Sequence, residues 1–466
     1  MSIFVKDTIA ALATAPLPAG VAVIRVSGAE AKPSVISLCE SFRDVSANFM
    51  HFGRLKSVDG VVIDEVLMVF FGAPRSFTGE DVVEIHCHGG KAVIEAILSA
   101  LRRQGVRMAE AGEFSKRAFM NGKMDLTAAE GIMDLVAAET EAQRKQALSQ
   151  LQGALAVQFE GWRTDILHML AHVEAGIDFP DEELDVIADA GIVDKLTILL
   201  NDLNDAVSTD VGQRLRDGFH LSILGKPNAG KSTLTNLLTG KETAIVSDIA
   251  GTTRDVVEAH LNIGGFPIIL ADTAGLRETD DVIEREGVNR AKARAYQSDL
   301  RIIMVDAHEW PALDEALLEH IVPERTLFVL SKFDKLNHSV ECIRSIKENQ
   351  MVNYKGVDYP ALLSDLTSAE ALTPILATLQ TLIERWYGGR QNAALLTRER
   401  HKRAVADTVG YLNQALTIAQ TGSPYSISEL IAQDLRDAAG AIGTVTGRTD
   451  TEDVLDVVFS SFCIGK

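Results

Sequence analysis

The hydrophobic and polar positions divide the chain into zones with different periods. Before residue 120, short apolar runs such as Val21 to Val26, Val66 to Phe71 and Val82 to His86 are separated by Gly and Pro, and a helical pattern covers Ala92 to Arg103. Short β-like runs mixed with a helix predict an α+β domain. From Ala128 to Ile177, apolar residues recur every three or four positions without a proline, which predicts long packed helices.

The second half of the chain changes period again. Residues 217–385 alternate strand-like and helix-like segments, which is typical of a doubly wound α/β domain. The helical pattern returns through Ala404 to Thr417 and Ser428 to Ala441. We therefore predict a multidomain chain: an N-terminal α+β domain at 1–120, the first part of an all-α helical domain at 121–216, an inserted α/β domain at 217–385, and the second part of the helical domain at 386–466.

Net charge, apolar runs and cysteine spacing limit which partners and which cellular compartment are expected. A formal net charge of −20 argues against binding nucleic acid through a broad basic face. The strongest local candidate for such a contact is the basic run from Arg398 to Arg403, for which a solvated helix face is the favoured interpretation. The N-terminus does not resemble a signal peptide, and the apolar runs are too short to span a membrane, so a cytoplasmic location is predicted. The four cysteines are scattered, so reduced thiols are expected.

A phosphate-binding loop is the strongest chemical signal. Residues Gly225 to Ser232 read G-x-x-x-x-G-K-S, with a strand-like run His220 to Leu224 before them and a helix-forming run Thr233 to Leu238 after them. Glycines allow backbone N–H groups to face phosphate oxygens, and the helix N-terminus adds partial positive charge. Lys231 would reach the β- and γ-phosphates and Ser232 would ligate magnesium.

Three further motifs complete a guanine-nucleotide site. Asp272-Thr273-Ala274-Gly275 follows an apolar strand, Gly251-Thr252-Thr253 lies between it and the P-loop, and Ser331-Lys332-Phe333-Asp334 follows another strand. Asp334 can accept two hydrogen bonds from guanine that adenine does not offer. The four motifs in this order predict a P-loop GTPase.

Two residues indicate how hydrolysis would differ from Ras-like enzymes. Leu276 follows Gly275, so the glutamine that orients the attacking water is missing. The P-loop carries Asn228, whose side-chain oxygen could hold a monovalent cation beside the phosphates. We therefore predict that GTP hydrolysis requires potassium.

These motifs resemble the MnmE (TrmE) family of tRNA modification GTPases, and the likeness extends from end to end of the chain. It is carried by the P-loop, by Asp248 to Asp255, by Asp272 to Arg277, by Ile177 to Glu183 and by the terminal Phe462-Cys463-Ile464-Gly465-Lys466. The resemblance implies an N-terminal domain that binds 5-formyl-tetrahydrofolate, or a related tetrahydrofolate, and forms a homodimer. It also implies a flavin-dependent partner, MnmG, with which the complex adds an aminomethyl-type group to the wobble uridine of tRNA.

The resemblance also implies site residues. Potassium would be bound by Asn228, Ser247, Ile249 and Thr252, magnesium by Ser232 and Thr253, and folate by Arg25, Glu84, Lys123 and Lys466. Glu284 would position the hydrolytic water, and together with Lys231 and Cys463 it completes the expected catalytic set. The expected GTP contacts are Gly225, Asn228, Ala229, Gly230, Lys231, Ser232, Thr233, Ser247, Asp248, Ile249, Ala250, Gly251, Thr252, Thr253, Asp272, Thr273, Ala274, Gly275, Ser331, Lys332 and Asp334.

The chain departs from the family pattern in the base-reading loops. Ser331 replaces an asparagine whose amide normally braces the loop, and Asp365 replaces a small residue that normally lets the backbone approach guanine. We therefore expect weaker nucleotide binding, and expect Ser331→Asn to restore it.

Rival functions are a ribosome-assembly GTPase that acts as an RNA-docking switch and a regulatory switch without a cofactor. The acidic balance and Cys463 argue against the first rival, and retention of folate would argue against the second.

Overall fold

A computed structural model describes residues 7–14, 18–178, 191–208, 210–240, 259–270, 298–311, 313, 321–333, 346, 348–387, 395–421, 426–449, 455, 458–460, 462 and 465. They fall into two compact units. The first lies within Met1–Met133, Phe159–Thr164 and Ala439–Lys466, and the second within Asp134–Gln158 and Asp165–Ala438. The predicted domain boundaries at 120, 216 and 385 stay a prediction.

A mixed sheet of six strands forms the centre of the first unit. Its strands are β1 (Ile9–Leu12), β2 (Ala19–Ser27), β3 (Met50–Lys56), β4 (Val62–Phe71), β5 (Val82–Gly89) and β6 (Arg107–Met108). Their order is β3-β4-β5-β2-β1-β6, and all neighbours are antiparallel except β1 and β6. The sheet confirms the β-like runs predicted in this part of the sequence.

Helices cover one face of this sheet. Helix α1 (Ala31–Leu38) and helix α2 (Lys91–Arg103) pack in one buried cluster with inward residues of the strands, and α3 (Glu113–Met120) follows β6. In α2 the buried residues lie three or four positions apart and so share one side of the helix; they are Ile94, Ile97, Ala100 and Leu101.

An ion-pair cluster centred on Arg117 in α3 ties the first unit together. The Arg117 guanidinium is 8% exposed and lies 2.7 Å from Asp7, 2.9 Å from Glu113 and 3.2 Å from Glu80. Burial opposes the charged forms of Asp7 and Glu113, but hydrogen bonds from Arg107 and Arg117 outweigh it and lower both pKa values.

Arg117→Ala is expected to destabilise the chain by about 3 kcal/mol at neutral pH, because it leaves carboxylates without their buried partner. The native pKa values of Asp7 and Glu113 lie below their unfolded values, so this contribution is present above the unfolded pKa and is lost as pH falls through the native one. Urea unfolding of the variant and the parent at several pH values checks this. An undiminished difference in strong acid would contradict it.

The predicted helical segments are confirmed where the structure describes them. They are α4 (Leu126–Ala137), α5 (Glu141–Leu151), α6 (Ala154–Asp178), α7 (Ile192–Val207), α8 (Val211–Asp217), α11 (Glu399–Thr421) and α12 (Ser426–Gly443). Among the described residues, no helix has the length and apolar character that a membrane span requires.

A second sheet, of seven strands, lies in the second unit. Its members are β7 (Phe219–Gly225), β8 (Ala259–Ile263), β9 (Phe266–Leu270), β10 (Leu300–Asp306), β11 (Thr326–Ser331), β12 (Met351–Tyr354) and β13 (Val357–Leu363), in the order β12-β13-β11-β10-β7-β9-β8. Only the two edge pairings, β8 with β9 and β12 with β13, are antiparallel. Helices α9 (Lys231–Thr239) and α10 (Leu372–Tyr387) follow β7 and β13 along the chain. The predicted doubly wound α/β domain is thus confirmed.

The favoured interpretation of the basic run at 398–403 was wrong. His401 is fully buried, Arg398 lies 2.7 Å from Asp134, and Lys402 pairs with Asp210 while lying 2.9 Å from Gln213. Arg398 and Lys402 thus make contacts within the second unit. Among the basic residues of the run, only Arg403 is exposed.

Candidate functional site

Two glycines shape the loop between β7 and α9. Gly225 has φ +153°, and a side chain there would collide with the carbonyl oxygen of Met304 in β10. Gly230, with φ +99°, immediately precedes the first residue of α9. The chain therefore turns sharply into a helix N-terminus, which is the geometry that binds phosphate.

Lys231 folds back over this loop. Its Nζ donates hydrogen bonds of 2.8 Å to the carbonyl oxygens of both Gly225 and Lys226. Burial lowers the pKa of this half-buried ammonium group. Ser232 and Thr233 are exposed at the start of α9, and Asn228 is exposed with φ +62°. The structure thus brings together the predicted phosphate, magnesium and potassium residues of the P-loop.

The loop after β11 is braced against the P-loop by Ser331. Its buried hydroxyl donates to the carbonyl oxygen of Ala229 at 2.8 Å, with that of Val305 at 3.3 Å. Ser331 therefore supplies a brace itself, which the sequence comparison with asparagine did not anticipate. Lys332, with φ +59°, follows it and extends its ammonium group to within 2.8 Å of Asp306.

Ser331→Ala is expected to weaken GDP binding about fivefold, because it removes one hydrogen bond and leaves the Ala229 carbonyl without its buried donor. Ser331→Asn, contrary to our expectation from the sequence, should not tighten binding, since Ser331 is 3% exposed and a larger side chain overpacks its site. Titration of each variant with a fluorescent GDP analogue checks both results. Tighter binding by the asparagine variant would show that the hydroxyl brace is inadequate.

Asp306 at the end of β10 was not singled out from the sequence. Burial disfavours its charged form, but hydrogen bonds from Lys332 and His308 outweigh that effect and lower its pKa to about 2. The carboxylate is therefore charged at neutral pH and fixes the Lys332 ammonium group. The sequence around Asp306 did not indicate this ion pair, because Lys332 lies in the loop after a different strand, β11.

Leu366 is a second residue that the sequence did not reveal. It is 5% exposed, has φ +54°, and its Cδ1 would lie 3.2 Å from a side chain placed at Gly230. Its neighbour Asp365 accepts a hydrogen bond from the Thr367 backbone N–H at 3.2 Å and is exposed. The carboxylate that seemed a departure from the family pattern is therefore bonded within its own turn.

A cleft of about 190 Å³ lies beside residues 226–229 of the P-loop. Its lining includes Asn228, Asp306 and Lys332, and an ion pair of 2.8 Å joins Lys226 to Glu309 across it. Loop residues from three strand ends thus converge where the carboxyl ends of β7, β10 and β11 meet.

Several predicted residues lie outside the described part of the chain. They are Ser247, Asp248, Ile249, Ala250, Gly251, Thr252, Thr253, Asp272, Thr273, Ala274, Gly275, Glu284, Asp334, Cys463 and Lys466.

In the first unit, Arg25 and Glu84 form a partly buried ion pair. They face each other across β2 and β5, and the Arg25 Nε and Nη2 atoms lie 3.0 and 2.8 Å from one carboxylate oxygen of Glu84. The guanidinium also lies over the rings of Phe77 and Phe114, at 5.0 and 5.7 Å. The second oxygen of Glu84, Oε2, lies 3.9 Å from His86 Nε2 on the same strand, which is beyond hydrogen-bond distance. Lys123 is exposed, and its Nζ donates to the Pro74 carbonyl oxygen at 3.0 Å.

Two described residues near the end of the chain, Phe462 and Gly465, contact the same unit. Phe462 is buried in a cluster with Leu126 and Phe459. Gly465 has φ +100°, and a side chain there would collide with the Leu12 carbonyl oxygen at the end of β1. Since β1 pairs with the strand that carries Arg25, Gly465 lies at the sheet that bears the Arg25–Glu84 pair.

Comparison with known proteins decides the family. A model described as the MnmE helical domain matches residues 126–463, and one described as the GTP-binding protein TrmE N-terminus matches residues 8–123. The tRNA modification GTPase MnmE of Paramagnetospirillum magneticum is 44% identical over 99% of this chain and 100% of its own length. The chain belongs to the MnmE family. The MnmE of Rhodospirillum rubrum is 43% identical over 99% of both chains.

MnmE membership agrees with the P-loop geometry, and the chain is a GTPase of this family of tRNA modification enzymes. Among solved structures, the G domain of the T. maritima FeoB iron transporter is 20% identical and covers 36% of this chain and 98% of its own. Its TM-score of 0.24 is too low to carry an argument.

Proposed function

We propose that this chain couples potassium-dependent GTP hydrolysis to modification of the wobble uridine of tRNA, with a folate-derived carbon and a flavin-dependent MnmG partner. The observation that carries the proposal is the convergence of Lys231, Ser232 and Asn228 on one P-loop in a chain of the MnmE family. The acidic balance of the chain argues against the alternative, a ribosome-assembly switch that docks on RNA.

The hydrolytic roles follow from the P-loop geometry and charge. Magnesium held by Ser232 and Thr253 would neutralise phosphate charge, and Lys231 would reach the β- and γ-phosphates. Potassium bound by Asn228, Ser247, Ile249 and Thr252 would add a charge where an arginine finger acts in other GTPases. Glu284 would orient the attacking water. Asn228 is exposed and lines the cleft beside the P-loop, so its side chain is accessible to a cation.

The folate site is proposed at Arg25, Glu84, Lys123 and Lys466. Glu84 Oε2, which lies 3.9 Å from His86 Nε2, would accept from ligand N–H groups, and the Arg25 guanidinium is held over the rings of Phe77 and Phe114. Lys123 and Lys466 would meet the carboxylates of the ligand's glutamate tail. Cys463 would act in the transfer chemistry, because Phe462 and Gly465, which lie near it in the sequence, pack on this same unit.

A homodimer and a cytoplasmic location complete the proposal. Phe52 and Leu67 pair across β3 and β4, are 57% and 42% exposed, and share the sheet face of Glu84 through the register of β4 and β5. Exposed apolar patches of this kind mark association sites. tRNA and MnmG would bind to the dimer in the cytoplasm.

GTP hydrolysis is expected to be about 10²-fold faster in potassium chloride than in sodium chloride, since the cation stabilises charge that develops in the transition state. Asn228→Ala should lose most of this response while still binding GDP, because it removes a cation ligand and spares Lys231. Phosphate release at matched ionic strength measures both. Equal rates of GTP hydrolysis by the parent in the two salts would contradict the proposed role of potassium.

The modification step is tested in a strain that lacks this gene. Nucleoside analysis of its tRNA should show loss of the wobble-uridine modification, and the parent gene should restore it. Normal tRNA in the deletion strain would overturn the proposed function.

A further inference from the structure

The first turn of α5 touches the hairpin formed by β8 and β9. The backbone N–H of Ala142 donates a 3.0 Å hydrogen bond to the carbonyl oxygen of Gly265, in the hairpin turn. The Ala142 side chain packs against the buried cluster that includes β9, and Glu141 Cβ would lie 3.7 Å from a side chain placed at Gly265. A helix outside the seven-stranded sheet is thus fastened to one hairpin of it.

That hairpin is continuous along the chain with both predicted switch motifs. Residues 251–253 precede β8, and Asp272 comes two positions after β9 ends at Leu270. The turn is itself held, because the Gly265 N–H donates to Asn262 Oδ1 at 2.9 Å. All five residues of β9 are buried, and close-packed interiors transmit strain, so a displacement of β9 affects the residues packed on it.

Gln143 makes a second connection from the same turn of α5. Thr140 and Gln143 form a capping box, in which Gln143 Oε1 accepts from the Thr140 backbone N–H at 3.0 Å. The other amide atom, Nε2, donates at 3.0 Å to the carbonyl oxygen of Arg216, near the end of α8. Since α8 leads directly into β7 and the P-loop, α5 is bonded both to the β8–β9 hairpin and to the helix that precedes the P-loop.

We propose that the first turn of α5 relays the nucleotide state of the P-loop domain to the helices of the second unit, with Ala142 and Gln143 as positioning residues. When the switch motifs change with the nucleotide, the β8–β9 hairpin moves Gly265 and α5 follows. The proposal rests on the proposed function only for its output, which is tRNA modification. The relay itself is a property of the GTPase.

Two substitutions each remove one of these hydrogen bonds with little change to the helix. Ala142→Pro removes the N–H that bonds to Gly265, at a first-turn position where proline is tolerated. Gln143→Glu keeps the acceptor of the capping box but replaces the donor that faces the Arg216 carbonyl. The matched control is Glu141→Pro, which places the same ring one residue earlier, loses no bond to the hairpin, and gives up exposed pairs with Arg144 and Lys145.

The first measurement is amide hydrogen exchange of the full chain with GDP or a non-hydrolysable GTP analogue. We expect amides of α5 in the parent and in Glu141→Pro to differ between the two nucleotides. In Ala142→Pro and Gln143→Glu this difference should shrink about fivefold, as loss of one hydrogen bond implies. The same variants should hydrolyse GTP at the parent rate, yet lose wobble-uridine modification in a complemented strain.

The outcomes separate this proposal from its alternatives. Exchange in α5 of the parent that is the same with both nucleotides overturns the relay. Equal loss of modification in all three variants also overturns it, because a proline or a weaker cap would then simply damage the helix. Loss of GTP turnover in Ala142→Pro and Gln143→Glu overturns it as well, because α5 would then support the nucleotide site directly. If the parent gene fails to restore modification, the proposed function fails, while the exchange data still decide the relay.

Discussion

Lys231→Ala is expected to reduce GTP turnover by about 10³-fold or more, to below ordinary detection, since a preorganised cation at the transferring phosphate is removed. The Nζ of Lys231 lies at hydrogen-bond distance from two P-loop carbonyl oxygens, so it is held at the loop before any phosphate arrives. Burial lowers its pKa, because the surrounding protein compensates the charge less fully than water does. An anionic phosphate would supply that compensation.

The measurement is phosphate release under saturating GTP, magnesium and potassium. Lys226→Ala is the matched control, because it removes an ammonium group from the same loop that is paired instead with Glu309 at 2.8 Å. We expect the control to retain most of its turnover. Comparable losses in both variants would mean that loop charge in general, and not the position of Lys231, sustains hydrolysis. Retained turnover in Lys231→Ala would remove the lysine from the mechanism.

The fold was predictable where one local pattern decided the outcome. The apolar run His220 to Leu224 and the glycine loop after it predicted a strand and a turn, and the structure places β7 at Phe219–Gly225. Strand β11, predicted at Leu327 to Leu330, is buried along its whole length, as a central parallel strand must be. Periodicity and turn chemistry are properties of neighbouring residues, so the sequence alone carries them.

The basic run at 398–403 shows where local pattern was insufficient. Its charges suggested a solvated face, but Arg398 bonds to Asp134, which is far away in the sequence. No local rule connects these positions, because the ion pair exists only once the helices pack. The same limit applies to Ser331, whose replacement of asparagine suggested a missing brace. Its hydroxyl reaches Ala229 because β11 lies beside the P-loop in the folded sheet.

The second large effect is expected at Cys463, and it separates the GTPase from the modification chemistry. Cys463→Ser should retain GTP turnover and its potassium response but lose wobble-uridine modification. The P-loop lies in the second unit and the chain from Ala439 to Lys466 in the first. A substitution in one unit should therefore leave the activity of the other unchanged. Serine is close to cysteine in volume, and it leaves Phe462 and Gly465 in place to hold the tail.

The thiol matters because a thiolate is a nucleophile at neutral pH, whereas a serine hydroxyl does not ionise there. The control is Cys39→Ser, which makes the same chemical change at a buried thiol that lies 3.2 Å from the Ser41 hydroxyl, where an added hydroxyl can still bond. GTP turnover in vitro and modified-nucleoside content in a complemented strain should be measured together. Full modification by Cys463→Ser would make the terminal cysteine a packing residue. Loss of both activities in that variant, with Cys39→Ser unaffected, would mean that the tail also controls the nucleotide site.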